Sequence, residues 1–207
     1  MTRHGADRWR ADDDRPGRRL FVAVPLPSAA VDVVVALVDR VRANGVPQGG
    51  RDVRWVRMDG LHVTLRFLGP TPEPGIAPVL AAVREAATTG GAFRIVVDGA
   101  GAFPSPARPR TIFLEISEGA ADLARLAGEV DRSLTPAGWP PSDRPFRAHL
   151  TLARSDGVAA GPAVAARLAD AARDLGLAMT IDRVGLFESL TGGGPARYEP
   201  LELVDLG

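Results

Sequence analysis

Two tetrapeptides of one pattern constrain this chain more than any other feature: His62-Val63-Thr64-Leu65 and His149-Leu150-Thr151-Leu152. The chain has three histidines, and two of them head these copies. Thr and Leu supply 10 and 21 of the 207 residues. A random His is then followed by Thr at +2 and Leu at +3 roughly once in 200 cases, so the recurrence reads as a repeat. Both copies alternate polar and apolar residues, the pattern of a β-strand. Residues i and i+2 of a strand share a face. Each His therefore points with its Thr, while Val63, Leu65, Leu150 and Leu152 point into a core. By the same parity, Arg154 falls on the face opposite His149 and reaches the motif face only by swinging in from the strand end.

The rest of the chain places these strands in a duplicated plan. Residues 20–26 form a buried strand ended by proline, and a helix follows over 28–44 with Ser28 as N-cap. A loop over 45–50 leads to a short strand at 53–56, and Asp59-Gly60 makes a hairpin-like turn into the first motif strand. A Pro-rich entry at 70–78 opens a helix that runs to about residue 88. A strand at 92–98 precedes a Gly- and Pro-dense loop at 99–110, read as the junction between halves. A strand at 111–117, a helix at 120–135, the second motif strand and a helix at 161–175 follow. Strands at 179–188 and 196–204 close the chain. The expected fold is α+β and bilobal: two antiparallel sheets with outer helices face a central cleft, with lobes from about 18–98 and 99–206. Residues 1–17 are polar and charged apart from Trp9 and are expected to be a disordered tail. His4 lies there and is set aside as a catalyst.

Composition excludes several chemistries. Every basic residue is Arg, and the chain has no Lys, which removes Schiff-base, P-loop-lysine and lysyl-adenylate chemistry. Any phosphate contact then comes from a guanidinium. The absence of Cys excludes disulfides, thiolate nucleophiles and Cys-ligated zinc. Zero formal net charge argues against wholesale binding of a long nucleic acid. No apolar run reaches membrane-spanning length and the N-terminus lacks a signal-peptide core, so a cytoplasmic protein without a membrane partner is expected.

Two imidazoles and two hydroxyls at one site suit an in-line phosphoryl displacement. A neutral His takes a proton from the nucleophile and a protonated His gives one to the leaving oxygen. The hydroxyls of Thr64 and Thr151 can donate to the non-bridging oxygens. Arg66, Arg147, Arg154 and Arg197 are candidate phosphate contacts. No cofactor and no metal are called for, because neither motif contains a carboxylate. Two other readings stand beside this one: a module that binds RNA ends without turnover, and a zinc hydrolase using both His with an Asp or Glu.

Over residues 18–206 the sequence resembles the two-histidine phosphoesterase superfamily and, within it, the RNA 2′,3′-cyclic phosphodiesterases, also called 2′-5′ RNA ligases. The resemblance is carried by 20–27, by Arg54-Trp-Val56 with 61–69, by Gly101-Ala-Phe-Pro-Ser105 with 108–110, by 144–147 with His149-Leu-Thr-Leu-Ala-Arg154, and by Ala196-Arg-Tyr-Glu199. Ala148 stands where a proline is usual and Phe113 where a tryptophan is common. The resemblance implies hydrolysis of a terminal 2′,3′-cyclic phosphate to a 2′-phosphomonoester in RNA processing, with a weak, reversible 2′-5′ ligation. It implies His62 as proton donor, His149 as proton acceptor, and Arg197 and Tyr198 among the substrate contacts. The implied partners are RNA 3′ ends with a cyclic phosphate, or small 2′,3′-cyclic nucleotides, bound by a monomer.

Overall fold

The computed structural model describes residues 16–43, 53–156, 160–192 and 194–207. Most of the expected N-terminal tail (residues 1–15) and the expected loop at 45–50 lie outside the described residues. The elements run β1 (Arg18–Pro25), α1 (Ser28–Ala43), β2 (Val53–Trp55), a 3-10 turn (Met58–Gly60), β3 (His62–Thr71), α2 (Glu73–Ala87), β4 (Phe93–Phe103), β5 (Thr111–Glu118), α3 (Ala120–Leu134), β6 (His149–Ser155), α4 (Ala160–Ala171), β7 (Leu177–Ile181), β8 (Arg183–Leu190) and β9 (Arg197–Asp205).

The strands form two antiparallel sheets. One has the order β3-β1-β8-β9 and the other β2-β6-β5-β4-β7. Apart from the added edge strand β2, the two orders correspond strand for strand. A motif strand leads each: β3 with His62, β6 with His149. Helices α2 and α3 pack together and lie against strands of the first sheet, and α1 and α4 do the same for the second. The motif strands β3 and β6 also touch each other, which brings the two sheets together along the motifs. The fold is thus α+β, with paired antiparallel sheets and outer helices as expected.

The division of the chain is different from the one expected. A cut near residue 98 falls inside β4, which continues past a bulge at Asp98-Gly99 to Phe103. The first half sends β2 and β4 into the second sheet, and the second half sends β8 and β9 into the first. Each half therefore completes its partner's sheet, and neither lobe is a contiguous segment. The expected hairpin at Asp59-Gly60 is instead a 3-10 turn that carries the chain from one sheet to the other. The strand expected over 179–188 is likewise two strands in different sheets, broken at Asp182. Local pattern reports extended backbone; which neighbour a strand pairs with depends on distant residues. Ser28 is the first residue of α1, whose first amides, those of Ala30 and Val31, bond the Pro27 carbonyl instead.

Burial explains the sequence patterns. In β1, Leu20, Phe21, Val22, Ala23 and Val24 are all buried. The strand is central in its sheet, with Leu20, Val22 and Val24 in the helix-side core and Phe21 and Ala23 in a second cluster with Phe187 on the other face. A strand covered on both faces reads as an unbroken apolar run. In α1, Ala30, Val34, Leu37, Val38 and Val41 are buried, the single apolar stripe of a helix lying on a sheet.

Both motif strands depart from simple alternation at the same place. In β3, Thr64 pairs with Ala23 and Arg66 with Val22, so Leu65 has no partner. In β6, Thr151 pairs with Phe113 and Ala153 with Ile112, so Leu152 has none. The fourth residue of each tetrapeptide is a β-bulge, which reverses the facing of everything after it. Arg66 turns to the helix side. There its Nε lies 3.2 Å from Asp131 Oδ1 of α3, and its guanidinium donates to the Pro140 carbonyl at 2.6 Å. Asp131 in turn accepts from the Ser142 amide at 3.1 Å. These bonds tie the segment leading to the second motif onto the first motif strand. Removing one member of this half-buried pair leaves the other desolvated and unpaired. Arg66→Met is expected to lower unfolding stability by about 1–3 kcal/mol, and Arg66→Met with Asp131→Leu to recover most of it. Urea denaturation of the three proteins checks this, and equal losses in the single and double variants would show that the pair is not coupled.

Candidate active site

Each motif begins where its strand begins, and the geometry of its histidine is set by the residue two before it. His62 Nδ1 donates to the Gly60 carbonyl at 2.7 Å, and His149 Nδ1 donates to the Arg147 carbonyl at 2.7 Å. A carbonyl only accepts, so the Nδ1 hydrogen is retained whatever the charge of the ring. In both rings Nε2 is therefore the atom that gains or loses a proton.

Aromatic walls surround each ring. The His62 centroid lies 4.8 Å from Phe21 and 4.8 Å from Tyr198, and Phe187 stacks behind it at 6.2 Å. His149 meets Phe103 at 5.1 Å and Phe113 at 5.2 Å, both edge to face. Gly101 makes room for this second wall, since a Cβ there would sit 2.8 Å from the Phe113 ring. Gly60 does the same for Tyr198, whose ring a Cβ would meet at 3.1 Å. Burial by these walls disfavours the imidazolium and pushes both histidines below their ordinary value. The carbonyl bonds oppose that shift, and the Arg154 charge adds to it at both rings. The charge of His149 also lowers His62, so the two rings sense one another within a single site.

Thr64 and Thr151 share the faces of their histidines and are half-buried. Among the described residues neither hydroxyl has a protein hydrogen bond, so both can donate to a ligand. Arg154 is a correction to strand parity. The bulge at Leu152 returns it to the face of His149 and Thr151, where it pairs with Thr111 in register and donates to the Thr111 hydroxyl at 2.6 Å. Its side chain is solvent-exposed, and its guanidinium has no ion pair among the described residues. Tyr198 lies against His62 and close to Arg154, and burial raises its pKa, which keeps the phenol a neutral donor.

The other arginines divide. Arg147 lies at the lip of the second motif, its guanidinium 4.6 Å above the Phe103 ring. Arg66 faces the helices and is ion-paired, so it stands outside the site. Arg197 is exposed and bound to Glu199, on the opposite side of β9 from Tyr198.

One side chain on the motif face is absent from the sequence-based candidates. The bulge at Leu65 does for the first motif what the bulge at Leu152 does for the second: it turns the fifth residue after the histidine onto the motif face. In the first motif that residue is Phe67, paired with Phe21 in register, 6.1 Å from it, and 53% exposed. Phe67 and Arg154 are thus equivalent positions of the repeat, and comparing the two copies at +5 was the signal available.

The 2′-5′ RNA ligase superfamily model matches residues 28–193. The chain belongs to that superfamily. Among relatives, an Aeropyrum pernix RNA 2′,3′-cyclic phosphodiesterase is 38% identical over 131 residues, 62% of this chain and 69% of the relative. A Thermus thermophilus crystal structure superposes with a TM-score of 0.70 at 29% identity, covering 91% of this chain and 97% of that one. Escherichia coli LigT complexed with 3′-AMP gives a TM-score of 0.69 at 25% identity, covering 91% and 98%. The motif strands meet, and the charges of His149 and Arg154 both act on His62. No group of three His, Cys, Asp or Glu able to hold a metal forms among the described residues, and no described helix is long and apolar enough to cross a membrane.

The lowered histidine pKa values carry a sign for stability. Their folded values lie below the unfolded value of about 6.5, so the unfolded chain takes up protons first as pH falls. Their contribution is complete above about pH 6.5 and is lost as pH falls through that value toward the folded pKa. NMR titration is expected to place both ring midpoints below 6.5, and thermal unfolding to show a decline on acidification that is reduced in His62→Gln/His149→Gln. Midpoints at or above the ordinary value would mean that the aromatic walls do not desolvate the rings.

Proposed function

We propose that the protein hydrolyses 2′,3′-cyclic phosphate ends of RNA to 2′-phosphomonoesters, using its two histidines as acid and base. The observation that carries this reading is the matched pair of rings. Each holds Nδ1–H on a backbone carbonyl, each presents Nε2, and they approach from opposite sheets beside two unpartnered hydroxyls and Arg154. Superfamily membership and the activity named for the Aeropyrum relative support the same reaction.

In this reading the cyclic phosphate lies between the two rings. Following the family resemblance, His149 takes a proton from water through Nε2, and the resulting hydroxide attacks phosphorus. The P–O3′ bond breaks, and His62 gives its Nε2 proton to the departing 3′ oxygen. Thr64, Thr151 and Arg154 meet the non-bridging oxygens, where transition-state charge collects. The phosphate's own charge favours protonation of a ring, so the imidazolium disfavoured in the free protein forms readily once substrate is bound. Phe67, the exposed +5 residue of the first copy, supplies a flat face of the kind on which nucleobases stack. The bound 3′-AMP of E. coli LigT is a ligand with such a base.

The test is product analysis on 2′,3′-cyclic AMP and a cyclic-phosphate-ended oligonucleotide, with and without EDTA. A 2′-phosphate product formed equally in both conditions is expected. Binding without turnover would favour the RNA-end-binding reading, and loss on chelation with recovery on zinc would favour a metal hydrolase. Replacing O3′ with sulfur separates the roles, because a thiolate departs without an acid. His62→Ala should then be largely rescued and His149→Ala should stay slow; the reverse pattern exchanges the two roles.

Thr64→Val and Thr151→Val are each expected to retain the fold and lower kcat by about 10²-fold if the hydroxyls bind the developing charge. Unchanged kcat in both variants would assign the threonines to packing alone.

A further inference from the structure

We infer that the RNA strand leaving the site runs over the outer edge of the second sheet, across β2, where Arg54 binds the first internucleotide phosphate. The inference rests on the phosphodiesterase reading above and extends it to the substrate beyond its terminal nucleotide.

Arg54 and Arg154 are register partners on adjacent antiparallel strands. Directly opposed residues of such a pair point to the same face, about 5 Å apart at their Cα atoms. The flanks agree: Val53 pairs with Ser155, and both are buried on the helix side. Arg54 is exposed and stands next to Arg154 on the motif face, one strand further from His149. Strand β2 has no counterpart in the first sheet, so this second cation is an addition to one side of the pseudo-symmetric site.

Charge pairing separates Arg54 from most other cations. Arg18 is held by Glu188, Arg57 by Asp59, Arg84 by Glu202, Arg94 by Glu118 and Arg183 by Asp205. Arg54 and Arg154 have no carboxylate partner among the described residues. A guanidinium without an anion among the described residues, beside a phosphate-binding arginine, is suited to a second phosphate of the same chain.

On the opposite side of His149 a guanidinium and a carboxylate stand together, Arg147 lying 4.6 Å above the Phe103 ring of β4. Glu115 is the register partner of His149 on β5, shares its face and is exposed. Its carboxylate would lie 2.8 Å from a Cβ on Gly101, over strand β4. A phosphodiester chain crossing β4 would pass this carboxylate, while a chain crossing β2 passes Arg54. The motif face therefore offers a phosphate a mixed pair of charges over β4, and over β2 a cation with no carboxylate partner among the described residues. It distinguishes an oligonucleotide, which has a phosphate on its terminal 5′ oxygen, from a cyclic mononucleotide, which has none.

The experiment compares KM and kcat for 2′,3′-cyclic AMP and a short single-stranded RNA ending in the same cyclic nucleotide. The proteins are the wild type, Arg54→Ala, Arg54→Lys, Glu115→Gln and, as a charge-matched control, Arg167→Ala on the exposed face of α4. The expected result is a lower KM for the RNA in the wild type. Arg54→Ala should raise that KM about 5- to 10-fold, with the cyclic AMP constants unchanged, and Arg54→Lys should be intermediate. The salt dependence of 1/KM for the RNA should become shallower by about 0.7 in logarithmic slope for the one lost phosphate contact. Arg167→Ala and Glu115→Gln should behave as wild type. Equal effects of Arg54→Ala on both substrates, or no effect on either, would overturn the path over β2 while leaving the hydrolytic reading intact. A marked fall in RNA KM in Glu115→Gln would place the strand over β4 and overturn it equally. Turnover of neither substrate by the wild type would remove the hydrolytic reading and this inference with it.

Discussion

The site depends on one unpaired residue in each motif strand. Leu65 has no partner on β1 and Leu152 none on β5, yet both are buried in the helix-side core. A strand slipped by one residue would turn its buried side chains to the other face, so burial of these leucines locks the bulge in place. The bulge then decides what the cleft contains. It keeps His and Thr together, brings Phe67 and Arg154 to join them, and sends Arg66 away to Asp131. An apolar contact in the core thus selects the polar groups in the site.

The same economy holds for the histidines. Each ring is fixed by a carbonyl two residues earlier in its own segment, so the tautomer is set locally, before any tertiary contact. The aromatic walls come from elsewhere: Phe21, Phe187 and Tyr198 for His62, Phe103 and Phe113 for His149. They exclude water and disfavour the charged ring. In the empty protein this opposes protonation, and a bound phosphate restores it. A site built this way responds to an anionic ligand, because the ligand supplies the charge that the walls withhold.

A chain with zero formal net charge can still present a local field. Many of its guanidinium groups are neutralised by carboxylates on neighbouring strands or turns of helix. Along the second sheet, Arg54 and Arg154 have no carboxylate partner among the described residues, and Glu115 and Arg147 stand beside His149 at the other end. Direction along the sheet is therefore encoded by which charges lack partners, not by how many charges there are.

Much of this was legible in the residues alone. The repeated His-x-Thr-Leu specified two strands, four site residues and their common facing, because strand alternation is a local property. The paired antiparallel sheets and outer helices followed from the order of apolar patterns. The exchange of strands between halves did not, since β4 and β8 look alike as sequence and differ only in which distant strand they meet. Strand parity puts Arg154 on the wrong face, offers Arg66 as a phosphate contact though it is ion-paired on the helix side, and gives no signal for Phe67. These three depend on register: a bulge is one residue without a partner, and only the partner strand reveals it. Arg197 is instead taken up by Glu199 on its own strand. Sequence by itself determined the chemistry available to this protein. Tertiary structure decided which of its arginines and aromatic rings could reach that chemistry, because pairing across strands, not spacing along one, sets the face on which a side chain stands.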